Sequence, residues 1–139
     1  VRQSCFQLLL YPVTDYTMSF PSIEEFSSGY FLTKAGMEWF RTHFLENAER
    51  ASDPMVSPHF ADVAGLAPAF VVTAGFDPLR DEGELYAKRL GDAGVTSVIK
   101  RYDSLIHGFM LMQGFLPEAR EAVRDIAENI REFINPRIS

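Results

Sequence analysis

The stretch from 69 to 102 sets the tightest limit on what this chain can fold into. AFVVTA (69–74) is apolar at every position but Thr73. A strand that short and that apolar is buried on both faces, which is the pattern of a parallel sheet covered on both sides. A helical pattern over about 79–93 follows, with Leu79, Gly83, Tyr86, Leu90 and Ala93 as its inner stripe and Gly94 suited to the left-handed stop. TSVIKRY (96–102) then reads as a further strand with partial alternation. A helix between two strands requires parallel neighbours joined by a crossover. The fold class is therefore α/β.

An earlier apolar run, CFQLLLY (5–11), stops at Pro12 and predicts a third parallel strand, buried like a central one. The expected spatial order is 5–11, 69–75, 96–103. Two further helices are predicted. One covers 34–46, capped by Thr33, with Met37, Phe40, Phe44 and Leu45 on one side and Trp39 beside them. The other covers 117–134, opened by Pro117 and closed by Pro136, with Ala119, Ala122, Val123, Ile126, Ile130, Phe133 and Ile134 as its stripe. Residues 12–32 and 47–68 read as irregular, the second because Pro54, Pro58 and Pro68 each disfavour helix at the preceding residue.

Three strands make a thin sheet, and an exposed edge as apolar as 5–11 invites pairing. The chain also opens at Val1, almost inside that strand, without a basic segment and cleavage site before it. Both features predict a piece of a longer domain, partnered by a missing N-terminal half or by self-association.

Composition narrows the function classes. With 47% hydrophobic and 23% charged residues the chain is not intrinsically disordered. Thirteen Lys and Arg against nineteen Asp and Glu give a net charge of −6 with no basic cluster, which argues against nucleic acid. No apolar run approaches the ~18 residues of a membrane span, so no transmembrane segment is predicted. A single cysteine, Cys5, forms no internal disulfide and fits a reducing compartment such as the cytoplasm. Cys5 is expected to be a small buried apolar residue. Three scattered histidines have no metal-ligand spacing, and no glycine-rich loop suits a phosphate.

In open parallel sheets ligands bind beyond the carboxyl ends of the strands. Asp77 follows strand 69–74 and His107 follows strand 96–102 within a loop at 104–108. Adjacent parallel strands lie about 5 Å apart, so both side chains emerge at one edge. An Asp beside a His holds one imidazole tautomer and lets it take a proton from a nucleophile. Asp77-Pro78 is equally a helix-start pair, and His107-Gly108 equally a turn with a solvated imidazole. His43 reads as a solvated helix residue and His59 as structural. The aromatics Phe20, Phe26, Tyr30, Phe31, Trp39 and Phe40 fall where a lid over an apolar pocket would lie, although plain packing also accounts for them.

The segments LLYPVTD (9–15), GYFLTKAGMEWF (29–40), DPMVSPHFADVAGLAPAFVVTAGFD (53–77), DPLRDEG (77–83) and YDSLIHGF (102–109) occur in one order over residues 5–134. The chain thereby resembles the C-terminal half of an α/β-hydrolase of the hormone-sensitive-lipase-like esterase and lipase family. The resemblance implies strands six to eight of an eight-stranded fold, with about 16–50 as part of a cap that shapes the acyl site. It implies a Ser-His-Asp triad in which Asp77 is the acid and His107 the base. The nucleophile and oxyanion segments of that family would precede residue 5. No serine here has glycine on both sides: Ser28 follows Ser27 and precedes Gly29. The implied activity is hydrolysis of small to medium acyl esters without metal or organic cofactor. A homodimer through the last strand and helix is a further implied contact. The alternatives are a non-catalytic ligand-binding relative and a truncated, inactive fragment.

Overall fold

The computed structural model describes residues 4–45 and 47–134, and for Ile134 its backbone alone. Three strands, β1 (Gln7–Leu10), β2 (Ala69–Phe76) and β3 (Ser97–Ile106), form one parallel sheet in the order β1-β2-β3. The helices are α1 (Pro21–Glu25), α2 (Lys34–Phe44), α3 (Arg80–Asp92) and α4 (Pro117–Ile134), with short 3-10 turns at Ala48–Ser52, Pro58–Phe60 and Phe109–Met112. The sheet order and its parallel sense agree with the sequence reading.

Strand β2 carries the core, and its alternation divides the molecule. Phe70, Val72 and Ala74 pack with Leu105, Phe109, Ala119, Ala122 and Ile126, so one face is covered by α4. Ala69 and Val71 pack with Val63, Tyr86, Ala87, Leu90 and Val95, so the other is covered by α3. A strand clad on both sides has no polar face to spare, which is why its sequence is apolar throughout. The two ends of α3 are set by residues outside its apolar stripe. Asp77 Oδ1 accepts from Leu79 N at 2.9 Å at the start. Gly94, at φ 79°, ends it.

Several boundaries differ from the sequence reading. Strand β1 is four residues rather than seven, because Tyr11 turns out of it at φ 37° while still donating to Val72 O at 2.7 Å. Within this chain it is the edge of the sheet and half-exposed, with Leu8 40% exposed, as expected of a strand whose further neighbour lies outside these three. Cys5 is exposed, not buried, since it precedes the part of β1 that pairs with β2. Helix α2 starts after Thr33, whose Oγ1 accepts from Gly36 N, and ends at Phe44; position 46 lies outside the described residues, as does Pro136. Phe40 and Phe44 are about 60% exposed, so their side of α2 faces a cavity rather than a core. Ala93 is exposed as the cap of α3. Residues 12–32 hold α1, opened by Pro21 and packed through Ile23 against Met37 of α2 and Leu79 at the start of α3.

The largest difference concerns β3, which runs to Ile106 through most of the expected loop. Ala74 pairs with Tyr102, but Phe76 pairs with Ile106. Two extra residues of β3 are thus taken up opposite Gly75. A β-carbon at Gly75 would lie 2.1 Å from the Asp103 carbonyl oxygen, so the bulge requires glycine there.

Candidate active site

The bulge decides which residues meet beyond the sheet. Continued from Ala74 and Tyr102 without a shift, the register would set Asp77 beside Leu105. With Phe76 opposite Ile106, the next residues on the two strands are Asp77 and His107. Asp77 Oδ2 lies 2.8 Å from His107 Nδ1. The carboxylate is buried, with its side chain 1% exposed, and the imidazole is 19% exposed. With a carboxylate as its partner, Nδ1 carries a proton, leaving Nε2 as the nitrogen free to accept one.

Asp77 makes both of the contacts that its sequence position suggested. One oxygen anchors the first turn of α3 through Leu79 N, and the other holds His107. His107 is likewise followed by a turn, with Gly108 at φ 74°. A β-carbon at Gly108 would stand 3.1 Å from the Phe31 ring, so a residue between α1 and α2 is packed directly on the histidine loop. The Tyr11 ring lies 4.5 Å from the imidazole, centre to centre, and 5.7 Å from Phe109. Burial, followed by the Asp77 charge, raises the Tyr11 hydroxyl above its ordinary range.

Beside His107 opens a cavity of about 510 Å³. Leu10, Tyr11 and Val13 form one wall, and Met37, Phe40 and Phe44 of α2 form another. Its size and mainly apolar lining suit a small organic molecule. Of the aromatics that the sequence offered for either a lid or plain packing, Phe40 alone lines this cavity. Tyr16 stacks on Phe44 at 5.0 Å, continuing the aromatic rim.

Beneath this wall lies a residue the sequence reading missed. Glu82 is fully buried, and its Oε1 accepts from Thr14 N at 2.6 Å and Asp15 N at 3.0 Å. It pins the segment that follows β1 to the first turn of α3. Burial pushes its carboxyl up to about 7, reinforced by the Asp15 and Asp77 charges and opposed by the two backbone bonds. Its Oε2 has no partner among the described residues. Glu82 adjoins Gly83 on the inner side of α3, and nothing in helical spacing separates it from an exposed glutamate such as those of α4.

The remaining candidates lie apart from the pair. His43 is exposed, with Nδ1 2.7 Å from Trp39 O. His59 is half-buried, packed edge-on to Phe20 and Phe60, and burial lowers its pKa. No group of three metal-ligating side chains occurs among the described residues, and no described helix is long and apolar enough to cross a membrane.

Known proteins resemble the chain over most of its length. The profile of a family described as alpha/beta hydrolase fold matches residues 2–111. The chain is 47% identical over 106 residues to the carboxylic ester hydrolase LipN of Mycobacterium tuberculosis, an alignment covering 75% of this chain and 28% of LipN. It is 34% identical over 129 residues to an ethyl acetate hydrolase of Pseudomonas putida, covering 92% of this chain and 41% of that one. The structure superposes on a hyperthermophilic esterase of the archaeon Pyrobaculum calidifontis with a TM-score of 0.87 and 43% identity, over 93% of this chain and 42% of the esterase. The chain thus spans less than half the length of these relatives.

Proposed function

Because the chain belongs to the α/β-hydrolase-fold family, among relatives that are esterases, we propose that it is the C-terminal portion of a serine carboxylesterase in which Asp77 and His107 are the acid and base of the triad. The observation that carries this is the 2.8 Å contact between a buried carboxylate and His107 Nδ1, beside an apolar cavity. In that arrangement His107 Nε2 takes the proton of a serine hydroxyl as it attacks the ester carbonyl. It then returns the proton to the leaving alcohol. Asp77 keeps the imidazole in the required tautomer and stabilises its protonated form. Hydrolysis by this route needs no cofactor.

Residues 1–139 are read as part of one hydrolase domain, with about 16–50 as part of a cap. Helix α2 and its cavity-facing side chains support that division. The substrate is a small-molecule ester. The serine is supplied by an N-terminal half pairing with this chain, and self-association, including a homodimer, is a second mode of partnering. The single cysteine is compatible with a cytoplasmic location.

The test is hydrolysis of 4-nitrophenyl butyrate by this chain joined to a nucleophile-bearing N-terminal half of an α/β-hydrolase. Turnover abolished by His107→Ala supports the assignment. Turnover that His107→Ala and Asp77→Asn leave intact sinks it.

A further inference from the structure

Helix α2 turns one face to the cavity, made by Met37, Phe40, Arg41 and Phe44. These positions follow the i, i+3, i+4, i+7 spacing of a single helical stripe. Three of the four are large hydrophobes, and the fourth is an arginine. An apolar side chain at position 41 would complete the wall, so the charge needs a reason.

Pairing among the described residues does not provide one. Lys34 pairs with Glu24, Arg50 with Asp53, Arg80 with Glu25 and Asp81, and Arg101 with Glu84. Arg41 is half-buried, and among the described residues its guanidinium has neither a carboxylate within 4 Å nor a hydrogen-bond acceptor. Glu38, one turn earlier on α2, shares with Arg41 an outer depression but makes no ion pair with it. The cavity's one carboxylate, Asp15, is buried and already accepts from Thr17 N, Thr17 Oγ1 and Ser19 Oγ, at 2.7, 2.7 and 2.9 Å. It is committed to its own turn and does not serve as Arg41's counter-ion.

We infer that Arg41 is a specificity residue, and that the cavity takes esters bearing a carboxylate at the end remote from the scissile carbonyl. The inference deepens the esterase reading and rests on it for the ester itself. His107 and Arg41 both line this cavity; in the inferred complex one molecule with an apolar middle places its ester at the imidazole and its anion at the guanidinium. A planar guanidinium engages a carboxylate with two parallel hydrogen bonds. The apolar stripe holds the spacer. The carboxylate belongs either to the acyl side, as in a half-ester of a dicarboxylic acid, or to the alcohol side, as in an acylated hydroxy acid.

The test titrates this chain, joined to an N-terminal hydrolase half whose nucleophilic serine is replaced by alanine, with monoethyl adipate, 6-acetoxyhexanoate and neutral diethyl adipate while following the His107 ring resonances. The expected result is that at least one anionic ester binds about tenfold more tightly than the diester and moves His107. Which anionic ester does so identifies the side that carries the charge. Arg41→Gln removes the advantage, Arg41→Lys restores part of it, and salt weakens it. Equal affinity for all three esters, unaffected by Arg41→Gln, overturns the inference while leaving an ester at His107. Arg41-dependent binding of the anions without any change at His107 keeps the anion site and overturns the esterase reading. Absence of binding by all three at millimolar concentration overturns both.

Discussion

Gly75 and Asp103 approach so closely across β2 and β3 that a β-carbon on the glycine would sit 2.1 Å from the aspartate carbonyl oxygen. That contact lies inside the register shift that brings His107, rather than Leu105, level with Asp77. Gly75→Ala is therefore expected to do more than lower stability by about 2–3 kcal/mol, the usual cost of forcing extra atoms into packed structure. It should also break the Asp77–His107 bond. Urea denaturation reads the first effect and the exchange-protected His107 Nδ1 proton resonance reads the second. A variant that keeps that resonance and its wild-type stability would show that the bulge tolerates a side chain.

Asp77→Asn keeps an oxygen for Leu79 N while removing the charge that faces His107. Helix α3 should stay in place, with near-unchanged helical signal. In a chain joined to its nucleophile half, kcat should fall by roughly 10⁴, because the imidazole is then held in the wrong tautomer or left without its counter-ion. A fall of less than tenfold would separate Asp77 from the chemistry.

Glu82 makes stability depend on pH in a definite direction. The folded chain holds the Glu82 proton up to about pH 7, whereas the ordinary value is 4.5. Between those values the folded state binds more protons than the unfolded one. The contribution of this group is fully present below about pH 4.5 and is lost as pH rises through about 7. The difference corresponds to about 3 kcal/mol. Glu82→Gln should flatten that part of the profile, so that variant and wild type diverge on going from pH 5 to pH 8. Denaturation midpoints at the two pH values check it, and parallel profiles would count against a buried acid at this site.

The 139-residue chain by itself should show no triad-level esterase activity. It has no serine flanked by glycines, and a missing nucleophile and missing oxyanion donors each cost orders of magnitude. Hydrolysis of 4-nitrophenyl acetate above the buffer rate, and abolished by His107→Ala, would reveal a nucleophile within these residues.

Association is expected as well. Strand β1 pairs only with β2 among the described residues and leaves Leu8 exposed on a short parallel edge. Leu111 and Phe115 near the histidine loop are also exposed. An open edge with uncovered hydrophobes recruits a partner. Sedimentation at micromolar concentration should show a dimer or larger species. A compact monomer with slow amide exchange at 8–10 would mean that β1 is covered from within.

The sequence by itself determined the framework. The apolar run at 69–74, the helical stripe after it and the strand at 96–102 dictate a parallel unit clad on both faces, because period and composition record which sides of an element meet water. The same local pattern placed Asp77 and His107 at the strand ends, and DPLRDEG with HGF pointed to the family. What tertiary structure alone decided is everything that depends on which neighbour lies across a gap. A register shift at Gly75 is a relation between two strands and leaves no periodicity in either. Whether the stripe of α2 faces a core or a cavity depends on what packs opposite, so helical spacing put Phe40 and Phe44 on one side without saying what that side meets. Cys5 looked buried because its composition resembles that of β1, yet no strand pairs beside it. Glu82 has the local surroundings of a surface glutamate. Its burial follows from the segment at 14–15 folding over it, a contact between residues nearly seventy positions apart.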